Sequence, residues 1–325
     1  MMIASALAPI AAGYQPHPLH TQDRSWAETN CYVDVWIELL HAWGFEPLAA
    51  MPFTIGIDFE GDQWTFFKFS LGDLRDLYGL DVQELAIWRP LVTHVNEQVQ
   101  LGRPVLVELD SFYLPDTAGT AYRREHQKST VAAVQLDLPQ QRLGYFHGQG
   151  YYELEGEDFR QVFRLGGGSD PALLPPYVEF VKRRAGGALT GPALVWASVE
   201  IFQRHLRLLP ATNPFAAFRV RFEQDLTWLT AGSLEVFHQY SFATLRQFGA
   251  CYELAANYLK WLQGNGVDDF TQPIARLTAL STGAKTLQFH LARAVARKKA
   301  LNLSLIDDLA ATWIAAIEEL KSRRL

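Results

Sequence analysis

The sequence predicts an α+β protein, with an antiparallel sheet preceded by helices in the first half and an all-α helical domain in the second. Three observations predict it: helix-spaced apolar residues up to about position 100, β-rich runs between 104 and 154, and no strand signal beyond the flexible glycine-rich stretch 166–171. The 325 residues, 49% hydrophobic and 20% charged, are enough for two globular domains at roughly 150 residues each. The expected domains are 1–165 and 172–325. Disorder, collagen-like repeats and a disulfide-stapled scaffold are excluded by the apolar fraction, the aperiodic glycines and prolines, and a cysteine count of two.

The elements follow in order. In 31–43, Val33, Trp36, Ile37, Leu40 and Trp43 recur at three- and four-residue steps, with Thr29 or Asn30 as N-cap and Gly44 as stop, so a helix begins at Cys31. Segment 70–78 reads as a short capped helix, and Pro90 opens another that ends near Gly102. Runs 104–110, 130–137, 142–147 and 150–154 read as strands, separated by turn signals at Pro139 and Gly148. Helices are expected at 176–184, 192–208, 214–229, 234–262 with a break at Gly249, 284–300 and 304–321.

Charge is unevenly divided. Residues 1–168 carry 11 basic and 22 acidic side chains, whereas 169–325 carry 18 basic and 13 acidic, within a total of −6. The acidic total gives no general attraction to nucleic acid or anionic membrane. No stretch reaches the ~18 apolar residues of a membrane span, and the apolar start lacks a basic leader and is broken by Pro9. A cytoplasmic protein without nucleic-acid or membrane partners is expected. In that compartment the two cysteines are free, one of functional interest and one buried.

Cys31 carries the most information, because the first turn of a helix favours the thiolate, the nucleophilic form; the bland reading is a small hydrophobe in a core. His126, immediately before the run 130–137, is placed for a sheet edge to hold its imidazole near a helix N-terminus, as thiol proteases and acyltransferases require. This order of helix-leading Cys, then His heading a strand, is the layout of a papain-like core. For a third member that orients the imidazole, the sequence offers His147, Asp137 and Asp110. Metal and phosphate motifs are absent, so no metal and no bound cofactor is expected. The basic cluster Arg293, Arg297, Lys298 and Lys299 reads either as a solvated helix end or as a docking face for an acidic protein. Arg246, Gln247 and Glu253 are polar positions in an apolar helix, lining a cleft or paired in a core.

Three stretches resemble the bacterial domain-of-unknown-function family 1839 over nearly the whole chain: Tyr122-Arg-Arg-Glu-His126-Gln-Lys, the run 143–159 containing His147, and the run 242–257 containing Arg246 and Cys251. Residues 28–160 are more distantly similar to the N-terminal domain of the butirosin biosynthesis protein H family. The similar pieces are Cys31 leading a helix, the run 104–115 with Asp110-Ser-Phe-Tyr113-Leu-Pro, Tyr122, and His126 before a strand. That resemblance implies a papain-like aminoacyltransferase. Cys31 would take an amino acid from the phosphopantetheine thioester of an acidic carrier protein and pass it to an amine acceptor, with His126 as base. It further implies oxyanion donors at the Cys31 N–H and at Asn30 or Gln22, and a substrate site including Asp110, Tyr113 and Tyr122. Arg246, a polar position that could line the cleft, is a further substrate-site candidate, and the net positive charge of the helical half suggests that it docks the acidic carrier. The phosphopantetheine arm would come with the carrier. The same Cys–His pair would serve a peptidase, amidase or thioesterase, and a degenerate core would serve as a binding scaffold.

Overall fold

The computed structural model describes residues 4–7, 10, 13–20, 24–26, 30–166, 174–298 and 301–323. Its strands are β1 (Ala4–Ser5), β2 (Leu80–Glu84), β3 (Val105–Asp110), β4 (Lys128–Asp137), β5 (Arg142–His147), β6 (Gly150–Glu155) and β7 (Val178–Arg183). Its helices are α1 (Cys31–Ala42), α2 (Leu71–Tyr78), α3 (Leu91–Gln100), α4 (Gly156–Val162), α5 (Gly191–Arg207), α6 (Pro214–Ala231), α7 (Leu234–Ala243), α8 (Leu245–Gly264), α9 (Thr271–Arg297) and α10 (Ser304–Ser322). No helix among the described residues is long and apolar enough to cross a membrane. The α+β class is as expected.

Two compact units result. The first comprises 1–21, 30–47 and 74–188; the second comprises 22–29, 48–73 and 189–325. In the first, one antiparallel sheet runs β2-β7-β3-β4-β5-β6, with β1 pairing along β4. Side chains alternate between its faces. Val105, Val107, Leu109, Val131, Ala133 and Tyr145 join Val92, Val95 and Val99 of α3 in one core. The opposite face, with Thr130, Ala132 and Phe146, receives α1, which packs on β4 and β5. A bulge between Ala133 and Gln135 resets the alternation farther along β4.

The structure departs from the expected elements in the following ways. Residues 176–184 form no helix: Val178, Phe180 and Val181 make β7, seated between β2 and β3. The sheet therefore extends past the expected boundary at 166–171, and the first unit closes only at 188. The helical unit in turn recruits 48–73, where Trp64 packs against Phe215, Phe218 and Phe248. The expected break at Gly249 falls instead at Thr244, which joins α7 to α8 with no loop.

Candidate active site

Asn30 opens α1. Its extended backbone and its side-chain oxygen, which accepts the Val33 N–H at 2.9 Å, make it the N-cap, so this residue anchors the helix. Cys31 is then the first helical residue, and its N–H has no partner within the helix. Its thiol, half-buried, lies 3.6 Å from Thr130 Oγ1 on the α1-facing side of β4.

His126 stands on that same side, because the Lys128 side chain reaches Glu108 and the His126 ring reaches Asp110, both on one face of β3. His126 Nδ1 lies 2.6 Å from Asp110 Oδ2, while Asp110 Oδ1 accepts the Phe112 N–H at 3.1 Å. A carboxylate that accepts on both oxygens sets the tautomer of the neutral ring, in which Nδ1–H donates to Asp110 and Nε2 is the acceptor. The ring is stacked on Phe112 at 4.3 Å, with Tyr113 edge-on at 6.1 Å. Arg123 lies over Phe112, Tyr113 and Tyr122, and both Arg123 and Tyr122 bond to Asp158. Asp110, Tyr113, Tyr122 and His126 thus form one cluster. Cys31 and His126 are not hydrogen-bonded to each other: four residues of β4 direction, roughly 13 Å of extended chain, separate His126 from Thr130, with the Lys128–Glu108 pair between.

Neither of the other proposed third members joins Cys31. Asp137 caps the β4–β5 turn by accepting the Gln140 N–H at 3.0 Å, seven residues and roughly 23 Å along the strand from Thr130. His147 lies on the opposite face, where Nδ1 is 2.5 Å from Asp116 Oδ2 and Nε2 is 2.6 Å from Ser129 Oγ. Asp116 also accepts the Tyr145 hydroxyl. Burial, then the charge and hydrogen bond of Asp116, push the Tyr145 hydroxyl far up, so it stays protonated. Sequence reasoning missed Ser129 and Asp116, since only the folding of 111–127 onto the sheet brings them to His147.

It also missed a buried cluster one turn into α1. His20 lies between Glu38, on Nδ1, and Asp34, 3.3 Å from Nε2, and Glu38 takes the Tyr14 hydroxyl at 2.5 Å and the His17 N–H at 3.0 Å. The only sequence signal was the pair of acids at i and i+4 in an otherwise apolar helix.

Two family models account for this chain almost end to end: the DUF1839 N-terminal domain matches residues 15–183, and the DUF1839 C-terminal domain matches 191–322. The chain belongs to the DUF1839 family. No curated protein matches it. The border between the two DUF1839 domains falls after β7, in agreement with the sheet and not with a boundary at 166–171.

In the C-terminal DUF1839 domain, Arg246 lies over the Phe242 ring at 5.2 Å, and Glu253 accepts from Arg24 and from the Ser25 and Trp26 N–H groups. Cys251 is fully buried, its thiol donating to the Thr54 carbonyl at 3.2 Å and its ionisation pushed well up by burial. Along α9, Lys285, the 61% exposed Phe289 and Arg293 share one helix face, with Arg293 over the Phe289 ring, so basic and aromatic groups alternate there. Lys298 ends the helix in a left-handed conformation and donates to the Gly232 carbonyl at 2.7 Å. Gln22 and Lys299 lie outside the described residues. Among the described residues no group of three or more His, Cys, Asp or Glu side chains is arranged to hold a metal.

Proposed function

We propose that this DUF1839 protein is a thiol-dependent aminoacyltransferase. What supports the reading above all is the His126–Asp110 pair, with Nε2 unpartnered among the described residues, on the same sheet face as a helix-leading Cys31. Substrate binding must bring Cys31 and His126 within one water of each other for the thiol proton to pass to His126, because the four residues of extended chain between them exceed that reach. The thiolate attacks the thioester carbonyl of a carrier-bound amino acid; the phosphopantetheine thiol leaves with that proton, and an acyl-Cys31 remains. An amine acceptor then attacks, yields its proton to His126, and Cys31 is released as thiolate. Thioester exchange is nearly isoenergetic, so positioning and the Cys31 N–H as oxyanion donor supply the catalysis. Asp110 keeps His126 in the accepting tautomer. The acidic carrier would dock on the α9 face bearing Lys285, Phe289 and Arg293, where charge and an exposed ring coincide.

Incubation with aminoacyl carrier protein and an amine, followed by intact mass, should show an acyl adduct on Cys31 and an aminoacylated product. Cys31→Ala should abolish both; unchanged transfer by that variant overturns the reading. The His126 side chain is 66% exposed, which favours water as a competing acceptor. Free amino acid without aminoacylated product would make the protein a thioesterase or amidase using the same pair.

A further inference from the structure

A second hydrogen-bonded set, Ser129, His147 and Asp116, stands on the other face of β4. We propose that Ser129, His147 and Asp116 form a serine relay able to accept an acyl group from an uncharged ester or thioester, independently of Cys31. The protonation of the chain of groups follows from its far end. Tyr145 is held protonated and donates to Asp116 Oδ1, so Asp116 acts as an acceptor at this end of the chain. His147 Nδ1 must then be the donor to Asp116 Oδ2 at 2.5 Å, which leaves the lone pair on Nε2 and makes the Ser129 hydroxyl the donor at 2.6 Å. That is the protonation state in which a serine can lose its proton to the imidazole as it attacks.

Burial supports the same assignment. The Asp116 and His147 side chains are 5% and 10% exposed, so the imidazolium formed during attack would be held in a site of low polarity by a fixed carboxylate. Ser129 is only half-buried, so a small electrophile can reach it. The buried carboxylate repels anions, which restricts the acyl donor to an uncharged group. In the reaction Oγ bonds to the acyl carbon and its proton moves to Nε2. The alcohol or thiol leaving group departs with that proton, leaving an ester on Ser129. Water then attacks that ester, gives a proton to Nε2, releases the acid, and the proton returns to Ser129.

The full-length protein would be treated with an alkyl fluorophosphonate, and the adduct mapped by peptide mass so that residue 129 is told apart from Cys31. The expected result is one phosphonyl group on Ser129, lost in Ser129→Ala, and formed on the order of 10²–10⁴-fold more slowly in His147→Gln. Circular dichroism of both variants shows whether they fold; because Ser129→Ala removes a single oxygen, it remains informative even where His147→Gln does not fold. Absence of the adduct on folded wild-type protein, or an adduct that survives Ser129→Ala, would overturn the proposal and reduce the three residues to a polar clamp between the sheet and the 111–127 segment.

Discussion

His20 makes α1 sensitive to pH. Burial alone would lower its ionisation, but hydrogen bonds and charges from Asp34 and Glu38 overcome this and raise it to about 9. A folded value above the unfolded ~6.5 means that the stabilisation is complete below about pH 6.5 and is lost as pH rises through about 9, worth about 3 kcal/mol at most. Thermal melts should therefore show a fall in Tm between pH 7 and 10. In His20→Gln that slope should flatten and the pH 7 Tm should already be lower; an unchanged slope would place the sensitivity elsewhere. The cysteines give a second test. Iodoacetamide should modify Cys31 and spare Cys251 in the native protein, because Cys251 is fully buried and held as a thiol, and an adduct on both would contradict the packing of α8. At this scale the sequence revealed what depends on local signals: Asn30 as cap, Cys31 as first helical residue, His126 at the head of β4, and Asp110 as a possible partner for it. It could not reveal Ser129, Asp116 or His20, whose roles depend on side chains that only the tertiary fold brings together.

Among the elements, β7 and α8 show how local patterns mislead. Pro176 followed by apolar residues resembles a helix start, yet Val178, Glu179, Phe180 and Val181 are all buried, two on each face of the sheet, as befits an interior strand. Gly249 resembles a helix break, yet it lies inside α8 because no side chain fits there: a Cβ would come within 2.5 Å of the Trp26 ring and 2.8 Å of the Ala284 Cβ on α9. Glycine in a helix costs about 1 kcal/mol relative to alanine, and here close packing offsets that cost. Gly249→Ala should accordingly destabilise the protein by about 1–3 kcal/mol despite alanine's better helix propensity. Urea unfolding would measure it, and a stabilised variant would mean that Trp26 moves aside freely. The α1 helix is the converse case. Every residue from Tyr32 to Leu40 is buried, beyond the single stripe that the apolar spacing marked, because its polar side chains Asp34 and Glu38 are consumed by His20, His17 and Tyr14.

For the whole molecule, the chain path makes the two units interdependent in sequence. The expected cut at 166–171 would strip β7 from the first unit, leaving β2 without the strand it pairs with and β3 with an open edge. The second unit is affected as severely, since its aromatic core takes Trp64 and Phe59 from 48–73, where Trp64 lies 4.9 Å from Phe248 and Phe59 lies 5.4 Å from Phe218. A fragment 172–325 therefore lacks a fully buried tryptophan from its core, a loss that costs 3–5 kcal/mol or so even as a single truncation to alanine and is comparable to the stability of a small domain. Expressed alone, 172–325 should show helical circular dichroism without a cooperative melt and should bind a hydrophobic dye, as loosely packed helices do. A fragment 189–325 should behave the same way, because the missing side chains are N-terminal to both. Co-expression with 1–188, which carries the complete sheet and 48–73, should restore a cooperative transition. A sharp melt from 172–325 by itself would show that the helical core closes without Trp64, and would return the division of the chain to the border between the two family domains.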